Sequence, residues 1–212
     1  MHIAIETFLY AVVALLVIFD PLGTAAVFGM MTPRDTKEER AQQAKRACSI
    51  AFVVLTLFGV AGEALLRALG IGLPALRVAG GILLFISAAD MVTARGVLRV
   101  SSDEQAAATA TDADISVFPL AIPLIAGPGS MTTMVLLHSR AEGSLLSLLA
   151  VEAALVVAIL ATLVCMLMAR HVQRALGQTG SNVVGRVLGV LLAALAAQIA
   201  LDGVRQSLGI GG

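Results

Sequence analysis

The sequence predicts an all-α membrane protein of six transmembrane helices, arranged as two inverted three-helix repeats with the first and fourth helices broken near the membrane midplane. Three observations favour this fold class. The 212-residue chain is 58% hydrophobic and 13% charged, with a mean hydropathy of +0.95, whereas soluble domains average about 25% charged residues. Six apolar segments are long enough to cross a bilayer, and two pairs of related motifs occur in the two halves.

The six predicted helices follow from length and hydropathy. A membrane-spanning helix needs about 20 mostly apolar residues, and the segments that meet this requirement are roughly 5–31, 47–67, 73–93, 115–137, 145–169 and 183–206. Residues 1–20 contain no Lys or Arg, so we interpret the first segment as a retained helix and not as a secretory signal. Little chain remains outside the segments, so the function is expected within or at the membrane.

Charge predicts the orientation and excludes one class of partner. The net charge is zero and the pI is about 6.8, which does not indicate nucleic-acid binding. Basic residues concentrate in the loops that lie inside when both termini are outside, as the positive-inside rule favours. The inside loops hold Arg34, Lys37, Arg40, Lys45, Arg46, Arg95, Arg99, Arg170, Arg174 and Arg186, and the outside loops hold Arg67, Arg77, Arg140 and Arg205.

Residues 101–114, "SSDEQAAATATDAD", are typical of a flexible linker between a first repeat at 1–100 and a second at 115–212. With three spans in each half, the second half enters the membrane from the opposite side, so a repeat would be inverted. The motif "DPLGT" in the first span is echoed by "GPGS" in the fourth. "RVAGGILL" in the third span is echoed by "RVLGVLL" in the sixth at nearly the same offset.

Capping patterns mark where helices begin. Thr32 before Pro33 is interpreted as an N-cap with proline at the first helical position, and Thr36 with Glu39 has capping-box spacing.

The two cysteines, Cys48 and Cys165, lack metal-ligand spacing. We therefore expect them to pack as small apolar side chains, and we predict no metal or cofactor.

The two predicted breaks lie at the same depth. Asp20 comes twelve residues after Phe8, and Gly127 comes twelve residues after Ile115. Twelve residues correspond to about 18 Å along a helix. Irregular backbone survives in a membrane only where protein or a water-filled cavity surrounds it. We therefore expect half-helices starting at Pro21 and Gly129 to bring their N-termini together from opposite sides.

That geometry suits a zwitterion. Helix N-termini carry free N–H groups and partial positive charge, and C-termini carry the reverse. A carboxylate is expected near the N–H groups around Gly23 and Gly129, and an ammonium near the carbonyls around Phe19 and Ala126. The predicted substrate-binding residues are Asp20, Pro21, Gly23, Thr24, Gly127, Pro128, Gly129, Ser130, Thr132, Thr133 and Gln198.

The motifs "FDPLGTAAVF", "FPLAIPLIAGPGSMTT", "LRVAGGILLF" and "RVLGVLLAALAAQIALDGV" resemble the MarC family of bacterial and archaeal inner-membrane proteins. The resemblance covers nearly the whole chain except the linker. It implies a multi-pass protein of the inner membrane that transports small neutral amino acids such as glycine and alanine. Members usually carry Asn before the first motif's proline, whereas this chain has Asp20.

Several residues keep two interpretations. Asp20 could cap the second half-helix and could also carry a coupling proton; sodium is the other coupling ion considered. Thr132 and Thr133 could bond their own helix or the substrate, and Gln198 could bond another helix or the substrate. The remaining acidic residues near segment ends are expected to be interfacial charges: Glu63, Asp90, Glu152 and Asp202.

Three functions other than amino-acid transport are compatible with a multi-pass membrane protein. An intramembrane hydrolase using Ser130 lacks a base, because His138 lies about 12 Å farther along the same helix, so we predict no enzyme. A non-transporting membrane factor linked to resistance or assembly is the second alternative, and efflux of another small solute is the third. The oligomeric state and the direction of transport do not follow from the sequence.

Overall fold

The computed structural model describes residues 2–93 and 115–209, apart from the side chains of residues 2, 172–179, 181, 182 and 184. Every regular element in this part of the chain is helical. The predicted linker at 101–114 lies outside the described residues. The seven α-helices are α1 (His2–Phe19), α2 (Pro21–Met31), α3 (Lys37–Ala68), α4 (Leu73–Thr93), α5 (Pro128–Ala141), α6 (Leu145–Leu167) and α7 (Ala169–Ser207).

One further element, Ser116–Ile125, is irregular and is called the proline segment here. Pro119 and Pro123 lie inside it, and each preceding residue, Phe118 and Ile122, has extended backbone angles. Both peptide bonds into these prolines are cis. Proline disfavours helical angles in the residue before it and removes a backbone donor, so the prediction of a regular half-helix over these residues was wrong.

The helices provide five or six candidate membrane spans. Even five spans confirm the prediction of an all-α membrane protein. Five are long and apolar enough alone, and a sixth arises if the proline segment and α5, bent by 56° relative to each other, form one span. The five are Ile3–Met31, Lys37–Ala68, Leu73–Thr93, Leu145–Leu167 and Gly185–Ser207. Large apolar side chains such as Val13, Val60 and Leu145 are exposed, as expected for a surface in contact with lipid.

Two caps lie between α2 and α3, and one of them differs from the prediction. Thr36 and Glu39 form a complete capping box at the start of α3. Thr32 instead caps the end of α2, because both its backbone N–H and its hydroxyl donate to the Phe28 carbonyl. The assignment of Thr32 as an N-cap was therefore wrong, since its side chain satisfies a C-terminal carbonyl of the preceding helix.

The main packing interface joins α4 to α7. A Cβ on Gly81 would come within 2.8 Å of Ala200 of α7, while a Cβ on Gly189 would come within 2.9 Å of Met91 of α4. Positions rise along α4 as they fall along α7, so the two helices are antiparallel. The small residues allow close backbone approach, as is common in membrane helix pairs. Separate contacts join α1 to α6 and α3 to α5.

Candidate functional site

The junction between α1 and α2, residues 19–24 and called the Asp20 junction here, depends on an unusual backbone conformation. Asp20 has φ 42° and ψ 69°, in the left-handed region, where Asp and Asn are enriched among non-glycine residues. Its Oδ1 accepts a hydrogen bond of 3.0 Å from the backbone N–H of Gly23. The predicted N-cap role of Asp20 is confirmed.

This cap changes the hydrogen bonding of the residues around it. In a continuous helix the N–H of Gly23 would bond to the carbonyl of Phe19, but here it bonds to Asp20. The hydroxyl of Thr24 takes the place of the Gly23 N–H as donor to the Phe19 carbonyl, because Thr24 Oγ1 donates to that oxygen at 2.8 Å. Thr24 is 3% exposed, so this bond satisfies a carbonyl that would otherwise be buried without a partner.

The junction between the proline segment and α5, residues 125–130 and called the Gly127 junction here, repeats this bond. Ser130 Oγ donates to the carbonyl of Ile125 at 2.8 Å, again five positions back from a hydroxyl that follows a glycine. No side chain caps α5, which starts at Pro128, one residue before the predicted start. A Cβ on Gly127 would lie 2.6 Å from the Pro123 carbonyl oxygen, so the backbone leaves room only for glycine.

The two junctions line one cavity of about 280 Å³. Ligand pockets commonly occupy roughly 300–1,000 Å³, so this cavity suits a small molecule. The starts of α2 and α5 both line it, but the N–H groups of Gly23 and Thr24 already bond to Asp20. The N–H groups of Gly129 and Ser130, at the start of α5, are therefore the ones offered to a ligand. Seven of the predicted binding residues line it, namely Asp20, Gly23, Thr24, Gly127, Pro128, Gly129 and Ser130.

The other four predicted residues do not line this cavity. Pro21 supplies the first helical position of α2, and the Thr132 side chain packs where a Cβ on Gly80 would be. Thr133 is buried beside a separate 20 Å³ cavity and its hydroxyl has no hydrogen-bond partner among the described residues. Gln198 is exposed and its Nε2 donates to Asp202 Oδ1 at 2.7 Å within α7.

Helix α4 contributes a wall that the sequence analysis missed. Leu84, Ser87 and Asp90 line the cavity at spacings of three, which is one face of a helix. Asp90 is only 8% exposed and lies three residues before the end of α4, so a residue predicted as an interfacial charge belongs to the cavity wall. In the sequence, the three-residue spacing of Ser87 and Asp90 in an apolar segment was the signal that could have predicted this wall.

The charged groups that line the cavity are both carboxylates. Asp20 and Asp90 contribute them, and no Lys, Arg or His is among its described lining residues. Carboxylates and carbonyl oxygens favour a cationic group, while helix N-termini favour an anionic one. Chemically, the cavity can hold a small ligand that carries both charges.

The side chains weighed for a hydrolase have other partners. Ser130 donates to Ile125, as described above, and His138 Nε2 lies 2.8 Å from Glu152 Oε1 on α6. Glu152 also accepts a 3.0 Å hydrogen bond from Thr56 of α3, so this predicted interfacial charge has partners on two other helices. Within residues 2–93 and 115–209, no three His, Cys, Asp or Glu side chains are grouped as a metal site would require.

Comparison with known proteins extends over nearly the whole chain. Residues 5–208 match the model of the family described as "MarC family integral membrane protein". A "UPF0056 membrane protein" of Archaeoglobus fulgidus is 37% identical over 92% of this chain and 90% of its own length. One of Aquifex aeolicus is 34% identical over 95% of this chain and 94% of its own length.

One bacterial relative is named as a protein of the inner membrane. The "UPF0056 inner membrane protein YhgN" of Escherichia coli is 31% identical over 92% of this chain and 94% of its own length. No solved structure matches the chain. Coverage on both sides is nearly complete, so the match concerns the whole architecture and not one segment. The chain belongs to the MarC family of multi-pass integral membrane proteins.

Proposed function

We propose that this protein is a secondary transporter that moves small neutral amino acids, of the glycine and alanine type, across the cytoplasmic membrane by alternating access. The single observation that carries the proposal is the convergence of the two junctions on one cavity. The cavity combines two helix N-termini, two carboxylates and a volume that suits a small ligand. An α-amino acid carries the two charges that these groups favour.

In this proposal the substrate carboxylate binds the N–H groups of Gly129 and Ser130 at the start of α5, because the N–H groups of Gly23 and Thr24 at the start of α2 already bond to Asp20. The substrate ammonium binds near Asp90 and the carbonyl oxygens that end α1 and the proline segment. The cavity volume of about 280 Å³ supports a limit on the size of the substrate, and Gly129 packs directly against Leu84 in its wall. An amino acid with a methyl group or a hydrogen as its side chain fits these restrictions best.

The same proposal includes an inverted repeat. The hydroxyl bonds of Thr24 and Ser130 support it, because they join the same atoms at the same sequence separation in the two halves. The antiparallel pairing of α4 with α7 is the arrangement that a two-fold axis in the membrane plane would produce. Alternating access then consists of one half moving relative to the other around the cavity.

Counterflow tests the function without knowledge of the driving ion. Purified protein in liposomes is preloaded with excess unlabelled alanine, and entry of labelled alanine is followed with protons and sodium present on both sides. We expect uptake by the wild type and none by Gly129→Val, whose side chain would displace Leu84 and fill the cavity.

Gly185→Val is the matched control, because no atom lies within 4 Å of a Cβ at Gly185. We expect this variant to retain uptake. Well-folded wild type that fails to exchange alanine and glycine would contradict the proposed function. Equal loss in both variants would show that the Gly129→Val result does not report on the cavity.

A further inference from the structure

We propose that His138 and Glu152 form a proton-binding site that couples transport to the proton gradient; this inference rests on the proposed function. The pair lies apart from the substrate cavity, and neither residue lines it. His138 is 9% exposed and its Nε2 lies 2.8 Å from Glu152 Oε1. Histidine is the side chain whose charge ordinarily changes near neutral pH.

The surroundings of the pair define where the proton binds. A carboxylate only accepts hydrogen bonds, so the contact requires a hydrogen on His138 Nε2. The second oxygen of Glu152 accepts from the Thr56 hydroxyl at 3.0 Å. In this tautomer Nδ1 is the ring nitrogen without a hydrogen, so a proton taken from the aqueous phase is added to His138 Nδ1 and converts the imidazole into an imidazolium.

Protonation changes the charge of a partly buried group. Before it, Glu152 is a carboxylate among apolar helices with two neutral donors. After it, the imidazolium and the carboxylate form an ion pair with no net charge, which is far less costly in a poorly hydrated environment. Proton binding therefore strengthens the connection of α5 to α6, and through Thr56 to α3.

The pair is linked to the substrate cavity by a short rigid helix. Ser130 and His138 both belong to α5, and the eight positions between them correspond to about 12 Å. Helix α5 begins at the Gly127 junction, so a shift of α5 moves the N–H groups that line the cavity. This connection is the physical route by which a proton at one end biases the substrate site at the other.

Helix α3 packs closely against the face of α5 that carries His138. A Cβ on Gly59 would lie 2.7 Å from the His138 ring, and a Cβ on Gly62 would press on Val135. Two glycines one turn apart thus form a smooth track for the face of α5 that carries His138. In membrane bundles small residues of this kind permit close helix contacts, so a change at His138 acts directly on the contact between α3 and α5.

The other titratable groups on the neighbouring helices contact residues other than His138 or lie in the cavity wall. Among the described residues, the group hydrogen-bonded to His138 is Glu152. Arg67 pairs with Glu63 at 2.6 Å, and Arg140 lies over the Tyr10 ring at 5.5 Å. The helices packed against α5 also carry Glu6, which is partnered, Arg77, bonded to Gln206, and Asp90 in the cavity wall.

Two transport modes separate coupling from substrate binding. Counterflow under equal pH tests substrate exchange, and uptake driven by an imposed pH gradient tests coupling. We expect His138→Gln to retain counterflow and to lose stimulation by the gradient, because glutamine donates to Glu152 but binds no proton. Glu152→Gln is expected to lose the stimulation as well, because no carboxylate then offsets the charge of the imidazolium. His171→Gln, at an exposed histidine on α7, should behave as wild type.

Proton exchange on substrate binding gives a readout independent of transport. Alanine is added to the protein in weakly buffered detergent solution with a pH-sensitive dye. We expect the wild type to take up or release protons on binding and His138→Gln to bind alanine without this change.

Each outcome decides between the proposals. A gradient response that persists in both variants, or a wild-type response to sodium alone, would overturn the proton site while leaving the transporter intact. Parallel loss of counterflow and of gradient-driven uptake would also overturn it, because that is the result of a structural contact. A wild type without counterflow would remove the proposed function and this inference together.

Discussion

The Asp20 junction and the Gly127 junction end in the same hydrogen bond but direct the chain differently. At Asp20 a side chain caps α2, and the two helices together still form one span, Ile3–Met31. At Gly127 no side chain caps α5, and the chain bends by 56° after a segment with two prolines. The hydroxyl-to-carbonyl bond is what both junctions share, whereas the residues before it set the direction of the helix.

The largest expected effect comes from Gly127→Val. Its Cβ would meet the backbone oxygen of Pro123 at 2.6 Å, and a backbone carbonyl cannot rotate away as a side chain can. We expect a loss of about 2–3 kcal/mol in the free energy of unfolding, in the range of overpacked cores. Thermal unfolding is measured with a thiol-reactive dye, since the chain has no Trp and its two free cysteines, Cys48 and Cys165, become accessible on unfolding. A wild-type midpoint would show that the Gly127 junction is not constrained in this way.

Asp20→Ala is expected to have the next largest effect. Alanine loses the cap to Gly23, about 1 kcal/mol, and disfavours the left-handed backbone by roughly another 1 kcal/mol. Asp20→Asn keeps both properties, so its unfolding midpoint should stay near that of the wild type. If alanine and asparagine gave the same midpoint, neither the cap nor the backbone angle would explain the residue at this position.

Thr24→Val and Ser130→Ala test the shared hydrogen bond. Each leaves a buried carbonyl oxygen without its hydroxyl donor, which costs about 1–3 kcal/mol. Because the two bonds have the same length and the same sequence separation, we expect similar shifts in the dye-detected midpoint. Clearly unequal shifts would separate the two junctions energetically and weaken the case for an inverted repeat.

Gly185→Ala is expected to have the smallest effect and serves as the control for the glycine at position 127. No atom lies within 4 Å of a Cβ at Gly185, and alanine has a higher helix propensity than glycine by about 1 kcal/mol. We expect an unchanged or slightly higher unfolding midpoint. A large decrease would mean that glycines of this chain are sensitive to substitution for reasons other than space.

Much of the fold follows from hydropathy and local chemistry. The candidate spans match the predicted apolar segments because about 20 apolar residues have few alternatives to crossing a membrane. Asp20 and the Thr36–Glu39 box were predictable because caps depend on residues close in sequence. Thr32 was assigned to the wrong helix, since the same hydroxyl can satisfy a C-terminal carbonyl and the sequence does not show which.

The candidate site was less accessible to prediction. The junction residues that line the cavity belong to recognisable glycine and proline motifs. Asp90 and Ser87 belong to α4, and only tertiary packing brings α4 against those motifs. Likewise, the contact of His138 with Glu152 joins two helices, and Gln198 lies on the outer face of α7. Helical periodicity indicates which residues share a face but not which neighbour that face meets.

The pairing of α4 with α7 also constrains how the chain is made. Helix α4 has its most extensive contact with α7, which begins 76 residues after α4 ends, so this contact cannot form until α5 and α6 have been synthesised. A nascent chain that ends before α7 would expose Gly81 and the adjacent small residues to any other helix in the membrane. Among the helices described, the α4–α7 contact is therefore one of the last that can form as the chain is inserted.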